Sequence, residues 1–325
     1  MKFYIGCDLG GTNIKVGLVN VENGNVISSK STPTLGHAGH DAVMQRMADI
    51  IEDLILETQV DRIEIGGVGV SAPGAIDLDK GETLFLPNLY GQWRNVPLRD
   101  RLKSFLNLPV TVLNDGRAIT YGEWSFGAGR GVDSMACFAI GTGVGGGLVV
   151  NRQLVLGIGG MAGELGHQIV DMHGPKCGCG NYGCLEVFTS GPAIATMAVR
   201  AVNQGWTTKI AELCEHDLNK ITPELVAKAA LAGDEVAQEI WDTAGQYLGI
   251  GVCNVVVAIA PRRVVISGGV SAAGDLLLNP IRRTLKERIF ILPVDQVEVV
   301  KGTLGNAAGI VGVAVWASQV ESFKG

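Results

Sequence analysis

Two stretches of this chain read alike: Ile5–Val19 (IGCDLGGTNIKVGLV) and Phe138–Val150 (FAIGTGVGGGLVV). Each is an apolar run that halts at a glycine-threonine turn and then resumes. That pattern is a hairpin of two short strands, with glycine making the turn tight. A chain that starts the same hairpin twice is held to a weakly duplicated α/β plan. Each half then opens on a turn of the size that cradles a phosphate. One such turn needs no function, but two carrying paired threonines, Thr12 and Thr142, are poorly explained as turns alone.

The rest of the pattern alternates strands and helices. Strands are expected at 2–9, 15–21, 63–70, 110–113, 135–140, 147–151, 262–267 and 297–301. Helices are expected over 42–56, near 98–106, over 116–126, through 192–247 and over 307–320, with a further one N-capped by Ser271 and running to about 287. With 325 residues, 47% of them hydrophobic, the chain can bury a large core and suggests two domains. Its 46 glycines are about twice the usual share. Scattered through Val/Ile-rich runs, they fit tight turns and close backbone approaches. A net charge of −6 argues against a nucleic-acid partner. No run of 18 apolar residues occurs, residues 250–260 are too short to span a bilayer, and the first eleven residues meet Gly and Asp before any apolar signal core forms. A cytoplasmic protein without a membrane partner is expected.

Three clusters carry chemistry. Cys177, Cys179 and Cys184 crowd into eight positions, with His167 shortly before them. Three thiolates and an imidazole form a closed tetrahedral zinc set, without the open position of a catalytic zinc. His173 is the competing fourth ligand. Glu164, three residues before His167 and expected on the same helical face, and Glu186, two after Cys184, flank the set. Gly141-x-Gly143-x-x-Gly146 literally matches a dinucleotide fingerprint, but that motif must open a helix, and here it leads into the strand-like Leu148-Val149-Val150. Asn114-Asp115 closes a strand, where α/β sites open. Such a pair is either a helix cap or a general base for a hydroxyl that receives phosphate.

Taken together, DLGGTNIK (Asp8–Lys15), SAPG (Ser71–Gly74), PNL (Pro87–Leu89), LNDGRA (Leu113–Ala118), GTGVGGG (Gly141–Gly147), GELGH (Gly163–His167) and CGCGNYGCLE (Cys177–Glu186) resemble the ROK family. That family holds sugar kinases and sugar-responsive repressors within the actin/hexokinase-like (ribonuclease H-like) ATPase superfold. The likeness spans nearly the whole chain and is greatest to its ATP-dependent glucokinases. It implies an α/β fold of two domains with a cleft between them. Residues 1–116 with 304–325 would form the small domain, and 117–303 the large one with its zinc loop.

The resemblance further implies a role for each matching position. Asp115 would be the catalytic base, deprotonating the 6-hydroxyl of a hexose. Gly74, Asn88, Asn114, Glu164, His167 and Glu186 would line the sugar pocket with it. Gly11, Thr12, Gly141, Thr142 and Gly143 would form the phosphate loops, with Lys15 counted in the same nucleotide set. Asp8 would stand near Mg2+ and Gly268-Gly269 beside the adenosine. ATP, Mg2+ and a structural zinc on His167, Cys177, Cys179 and Cys184 follow, as does a homodimer or homotetramer. Glucose is the expected substrate, with N-acetylmannosamine, N-acetylglucosamine, mannose and fructose as alternatives. A ring of short polar groups suits a sugar, because any group left unpaired rejects the wrong isomer. The rivals are a sugar-sensing repressor, which needs a DNA-binding domain ahead of Asp8, and a catalytically dead sugar binder, which the intact Asp115 opposes.

Overall fold

A computed structural model of the chain describes residues 2–86 and 89–322. Among these, two five-stranded sheets share one plan. The first takes β1 (Phe3–Leu9), β2 (Asn13–Asn20), β3 (Asn25–Pro33), β4 (Ile65–Ala72) and, past the small hairpin β5 (Ala75–Asp77) and β6 (Glu82–Phe85), β7 (Val110–Asn114). Its order is β3-β2-β1-β4-β7. The second takes β8 (Met135–Ile140), β9 (Val144–Val150), β10 (Gln153–Leu154), β11 (Arg263–Ser267) and β12 (Glu298–Lys301), in the order β10-β9-β8-β11-β12. In each, the first three strands are antiparallel and the last two run parallel to the first. Hairpins need only tight turns, whereas parallel neighbours need crossovers, normally helical. The duplication expected from two hairpins therefore extends to both whole sheets.

Helices supply the crossovers. In the first half these are α1 (His40–Thr58) and α2 (Leu98–Leu106). From the first sheet, α3 (Asp115–Phe126) leads to the second, whose insertion is α4 (Glu186–Thr189), α5 (Gly191–Asn203), α6 (Lys209–Leu213), α7 (Pro223–Leu231) and α8 (Glu235–Ile259), followed by α9 (Asp275–Arg288) and the closing α10 (Ala308–Ser322). The first sheet packs on α1 and α2 through Val16, Met47 and Leu102, the second on α8 and α9 through Phe138, Trp241 and Ile281. Buried at every position, β4 reads as a parallel strand covered on both faces.

Helices α3 and α10 are exchanged between the halves. Although α3 leaves the first sheet it lies on β8 and β9, and α10 leaves the second sheet yet lies on β1 and β4. Tyr121, Cys137, Val265 and Val313 belong to the core between the sheets. Glycine permits this packing. A Cβ on Gly6 would stand 2.0 Å from the Ile310 carbonyl oxygen, and one on Gly312 would stand 1.8 Å from that of Ala118. Glu123, wholly buried in α3, accepts the backbone N–H of Ala128 at 2.9 Å and those of Thr303 and Leu304 at 3.1 Å. It thus ties the exit of α3 to the entry of α10.

Two local expectations are corrected. Ser271 does not cap a helix: its hydroxyl turns back to the Gly268 carbonyl at 2.7 Å, and α9 starts at Asp275 after Gly274 at φ 60°. Residues 255–259 continue α8. That helix is long and apolar enough to cross a membrane by length and composition, with half of its most apolar window buried in the protein. Glu164 does not share an α-helix with His167, because Leu165–His167 is a single 3-10 turn.

Candidate active site

The shared plan puts the signature residues at corresponding strand ends. β1, β4 and β7 are parallel, so the Gly10–Thr12 turn, the Ala72–Gly74 segment and Asp115 all follow the same edge of the first sheet. β8 and β11 are parallel, so Gly141–Gly143 and Gly268-Gly269 follow one edge of the second. Ligands in open α/β sheets bind at such edges.

Asp115 opens α3. Its Oδ1 accepts the Gly116 N–H at 2.8 Å. Burial, then the neighbouring Asp8 carboxylate, pushes its pKa up to about 7; Glu164 adds to the rise, and the Gly116 N–H and Arg117 oppose it. A carboxylate with this affinity can take a proton from a substrate hydroxyl near neutral pH. Asp8 is likewise raised, first by burial, while the Ser71 hydroxyl donating at 2.7 Å and the Lys15 charge hold it down. Lys15 stands opposite Asp8 in the β1–β2 register.

Asn114 is used by the fold. Its Oδ1 accepts the Arg117 N–H at 3.3 Å, capping α3, and its Nδ2 donates to the Gly74 carbonyl at 2.9 Å. Of the two readings of the Asn-Asp pair, the helix cap falls on Asn114, while the carboxyl of raised pKa is that of Asp115. Gly74 holds φ 85°, a left-handed value at which glycine is unstrained. Asn88 lies outside the described residues.

The glycine run divides into two tasks. Gly141–Gly143 form the turn, closed by the Gly141 N–H on the Gly143 carbonyl at 2.9 Å. The next glycines belong to β9, so no helix opens there and the dinucleotide fingerprint fails. They serve packing: a Cβ on Gly147 would stand 2.7 Å from the Thr120 hydroxyl, and one on Gly116 2.5 Å from the Gly146 nitrogen. Gly268 packs on the end of β8 beside the turn, and the Gly191 N–H at the start of α5 donates to the Gly141 carbonyl at 2.8 Å.

GELGH lies flat against β9, with Gly166 against the Val144 carbonyl. It brings Glu164 and His167 to the strand ends. Among the described residues, His167, Cys177, Cys179 and Cys184 form a cluster that could hold a metal ion, their donor atoms all within 4.8 Å of one another. His167 Nδ1 stands 3.7 Å from Cys177 Sγ, and Cys179 Sγ stands 3.7 Å from Cys184 Sγ. Of the two candidate histidines, His167 is the one whose ring lies in this cluster. Glu186 joins this set to the glycine turn: Oε2 accepts the Val144 N–H at 2.9 Å and Oε1 lies 3.7 Å from Cys177 Sγ.

One residue of the site was not legible in the sequence. Arg117, 2% exposed, donates Nε to the Ala162 carbonyl at 2.6 Å and Nη2 to Glu164 Oε1 at 2.9 Å. Arg117 falls inside LNDGRA, but nothing local in the sequence pairs it with Glu164; only the exchange of α3 onto β9 brings the two together.

Residues 4–320 match the ROK family. A glucokinase from Halalkalibacterium halodurans is 35% identical over 323 residues, covering 99% of this chain and 96% of its own. A glucokinase from Thermotoga maritima is 37% identical, covering 95% of each chain. The crystal structure of a ROK family glucokinase from Streptomyces griseus, in complex with glucose and AMPPNP, superposes with a TM-score of 0.84 at 32% identity, covering 98% of this chain and 99% of that one. The chain belongs to the ROK family, and its fold is of the actin/hexokinase-like type.

Proposed function

We propose that this chain transfers the γ-phosphoryl group of ATP to the 6-hydroxyl of a hexose, glucose first, giving hexose 6-phosphate and ADP. The observation that carries the reading is Asp115, a carboxylate with a near-neutral pKa at the N-terminus of α3, beside Asp8 and Glu164. In the reaction the sugar oxygen attacks the γ-phosphorus, the bond to the ADP oxygen breaks, and the hydroxyl proton passes to Asp115. Gly74, Asn88, Asn114, Glu164, His167 and Glu186 hold the sugar. Gly11, Thr12, Gly141, Thr142 and Gly143 hold the phosphates, with Lys15 near Asp8 and Gly268-Gly269 by the adenosine.

Asp8, a buried carboxylate, is a hard oxygen donor that would hold Mg2+, and the ion would neutralise charge on the phosphates. The cysteine set fits zinc. A tetrahedron with Zn–S of about 2.3 Å has sulfurs about 3.8 Å apart, close to the 3.7 Å between Cys179 and Cys184. With Nδ1 turned to the thiolates, His167 keeps Nε2 for a sugar hydroxyl, so zinc would fix the pocket wall and not the chemistry.

We place the domain division at 1–116 with 304–325 against 117–303, where α3 and α10 change sheets. Closure there would exclude water that competes for the phosphoryl group. A cytoplasmic homodimer or homotetramer is the expected setting.

Arg117 is a positioning residue in this account. Arg117→Met leaves Glu164 unheld, so KM for glucose rises about tenfold, the value of one charged hydrogen bond, while kcat changes much less. Arg117→Lys recovers only part, since an ammonium cannot reproduce the two-pronged geometry. Steady-state kinetics check the KM-against-kcat split, and an equal fall in kcat would assign Arg117 to the chemical step. The function itself is tested by a coupled ADP-release assay over glucose, mannose, fructose and the N-acetylhexosamines. Turnover with none of them removes the kinase reading.

A further inference from the structure

At the end of α3 away from Asp115 lies a second cavity, of about 730 Å³. Trp124 stands nine residues beyond Asp115, about 14 Å along the helix at ~1.5 Å per residue, so the two sites do not overlap. Both halves of the molecule contribute walls: Val21 and Trp316 come from elements on the first sheet, Arg130 and Arg152 from segments flanking the second. Tyr121 packs edge-on to Trp316 with centroids 5.5 Å apart and tilted against Trp124 at the same distance. The indole of Trp124 is fixed by donating to the Val132 carbonyl at 2.9 Å. Preset aromatic walls of this kind bind flat apolar bodies at low ordering cost.

The charge of the cavity departs from that of the chain. Acidic residues outnumber basic ones, 32 to 26, yet among the described residues lining the cavity there are two arginines and no carboxylate. Arg152 meets Asp133 only at 3.2 Å in an exposed pair, which solvent weakens, so its guanidinium can turn to a ligand. It also sits in the Asn151-Arg152 hairpin turn at φ 65°, a position that favours glycine. A strained arginine there is a reason to ask what it serves.

We propose that this cavity binds a small organic anion with a flat apolar body, the rings taking the body and Arg130 and Arg152 the charge. Because its walls come from both halves, occupation is coupled to closure over the sugar, a part that rests on the hexokinase reading. The test uses the full chain with AMPPNP present, so the nucleotide site is filled, and anilinonaphthalene sulfonate as probe. Its binding is followed by energy transfer from tryptophan. The wild type saturates at one probe per chain, and Arg130→Gln/Arg152→Gln, with unchanged Tm, binds it at least about tenfold more weakly. Equal affinity in the two proteins, or no saturable binding, overturns the site. Saturating glucose shifts the probe Kd, and saturating probe shifts the glucose Kd by the same factor. A probe Kd indifferent to glucose, in protein shown by calorimetry to bind glucose, overturns the coupling alone. Protein that binds no glucose fails the hexokinase reading instead.

Discussion

Asp115→Asn lowers kcat by roughly a thousandfold, within the range a positioned general base supplies, and leaves glucose binding nearly unchanged. Asparagine keeps the shape and can still accept the Gly116 N–H, but it cannot take the hydroxyl proton. In the wild type, kcat/KM falls about tenfold per unit as pH drops below about 7, where the carboxylate takes up its proton. The stability effect has the opposite sense. The folded pKa lies above the ordinary 3.8, so the folded state binds the extra proton between those values, and this contribution is lost as pH rises through about 7. Asp115→Asn should therefore raise Tm at pH 8, with the gain vanishing below pH 4. Thermal unfolding at the two pH values, beside steady-state kinetics, checks both halves. A variant with wild-type kcat would remove Asp115 from the chemistry.

Loss of the proposed zinc should be as severe. Cys184→Ser, or chelation of the wild type, frees the loop that carries His167 and Glu186. Two of the proposed sugar contacts go with it, and glucose binding should weaken by about a hundredfold or more. Nucleotide binding should weaken less, since Gly141–Gly143 are also held by the bond closing their own turn and by the Gly191 N–H. Calorimetry with glucose and with AMPPNP, alongside zinc content by elemental analysis, separates the two. Unchanged glucose affinity in metal-free protein would make the cysteine set irrelevant to the pocket.

Much of this was legible wherever chemistry is local. The two glycine-threonine hairpins announce themselves because a tight turn between apolar runs needs glycine at that point. The cysteine set is equally plain, since three ligands fall within one loop. Where partners are distant the sequence is silent. β3 (NVISSKSTP) went unread because an edge strand needs few apolar residues, and its burial only alternates between exposed and half-buried. His167 was the favoured fourth ligand and His173 its competitor; only the fold of GELGH on β9 puts the His167 ring beside the cysteines. Gly6 and Gly69 look like ordinary glycines until α10 is laid across β1 and β4, and Gly312 until α10 meets α3 at the Ala118 carbonyl. Arg117 and Glu123, both buried in α3, take their meaning from segments more than forty residues away.

The central claim is that a sugar alcohol next to Asp115 is the group that accepts the phosphoryl. Phosphorus NMR of reactions with ATP and either glucose or 6-deoxyglucose tests it directly. Glucose should give glucose 6-phosphate and ADP in equal amounts, and the deoxy sugar no sugar phosphate. A phosphorylated 6-deoxyglucose formed at a comparable rate would contradict it.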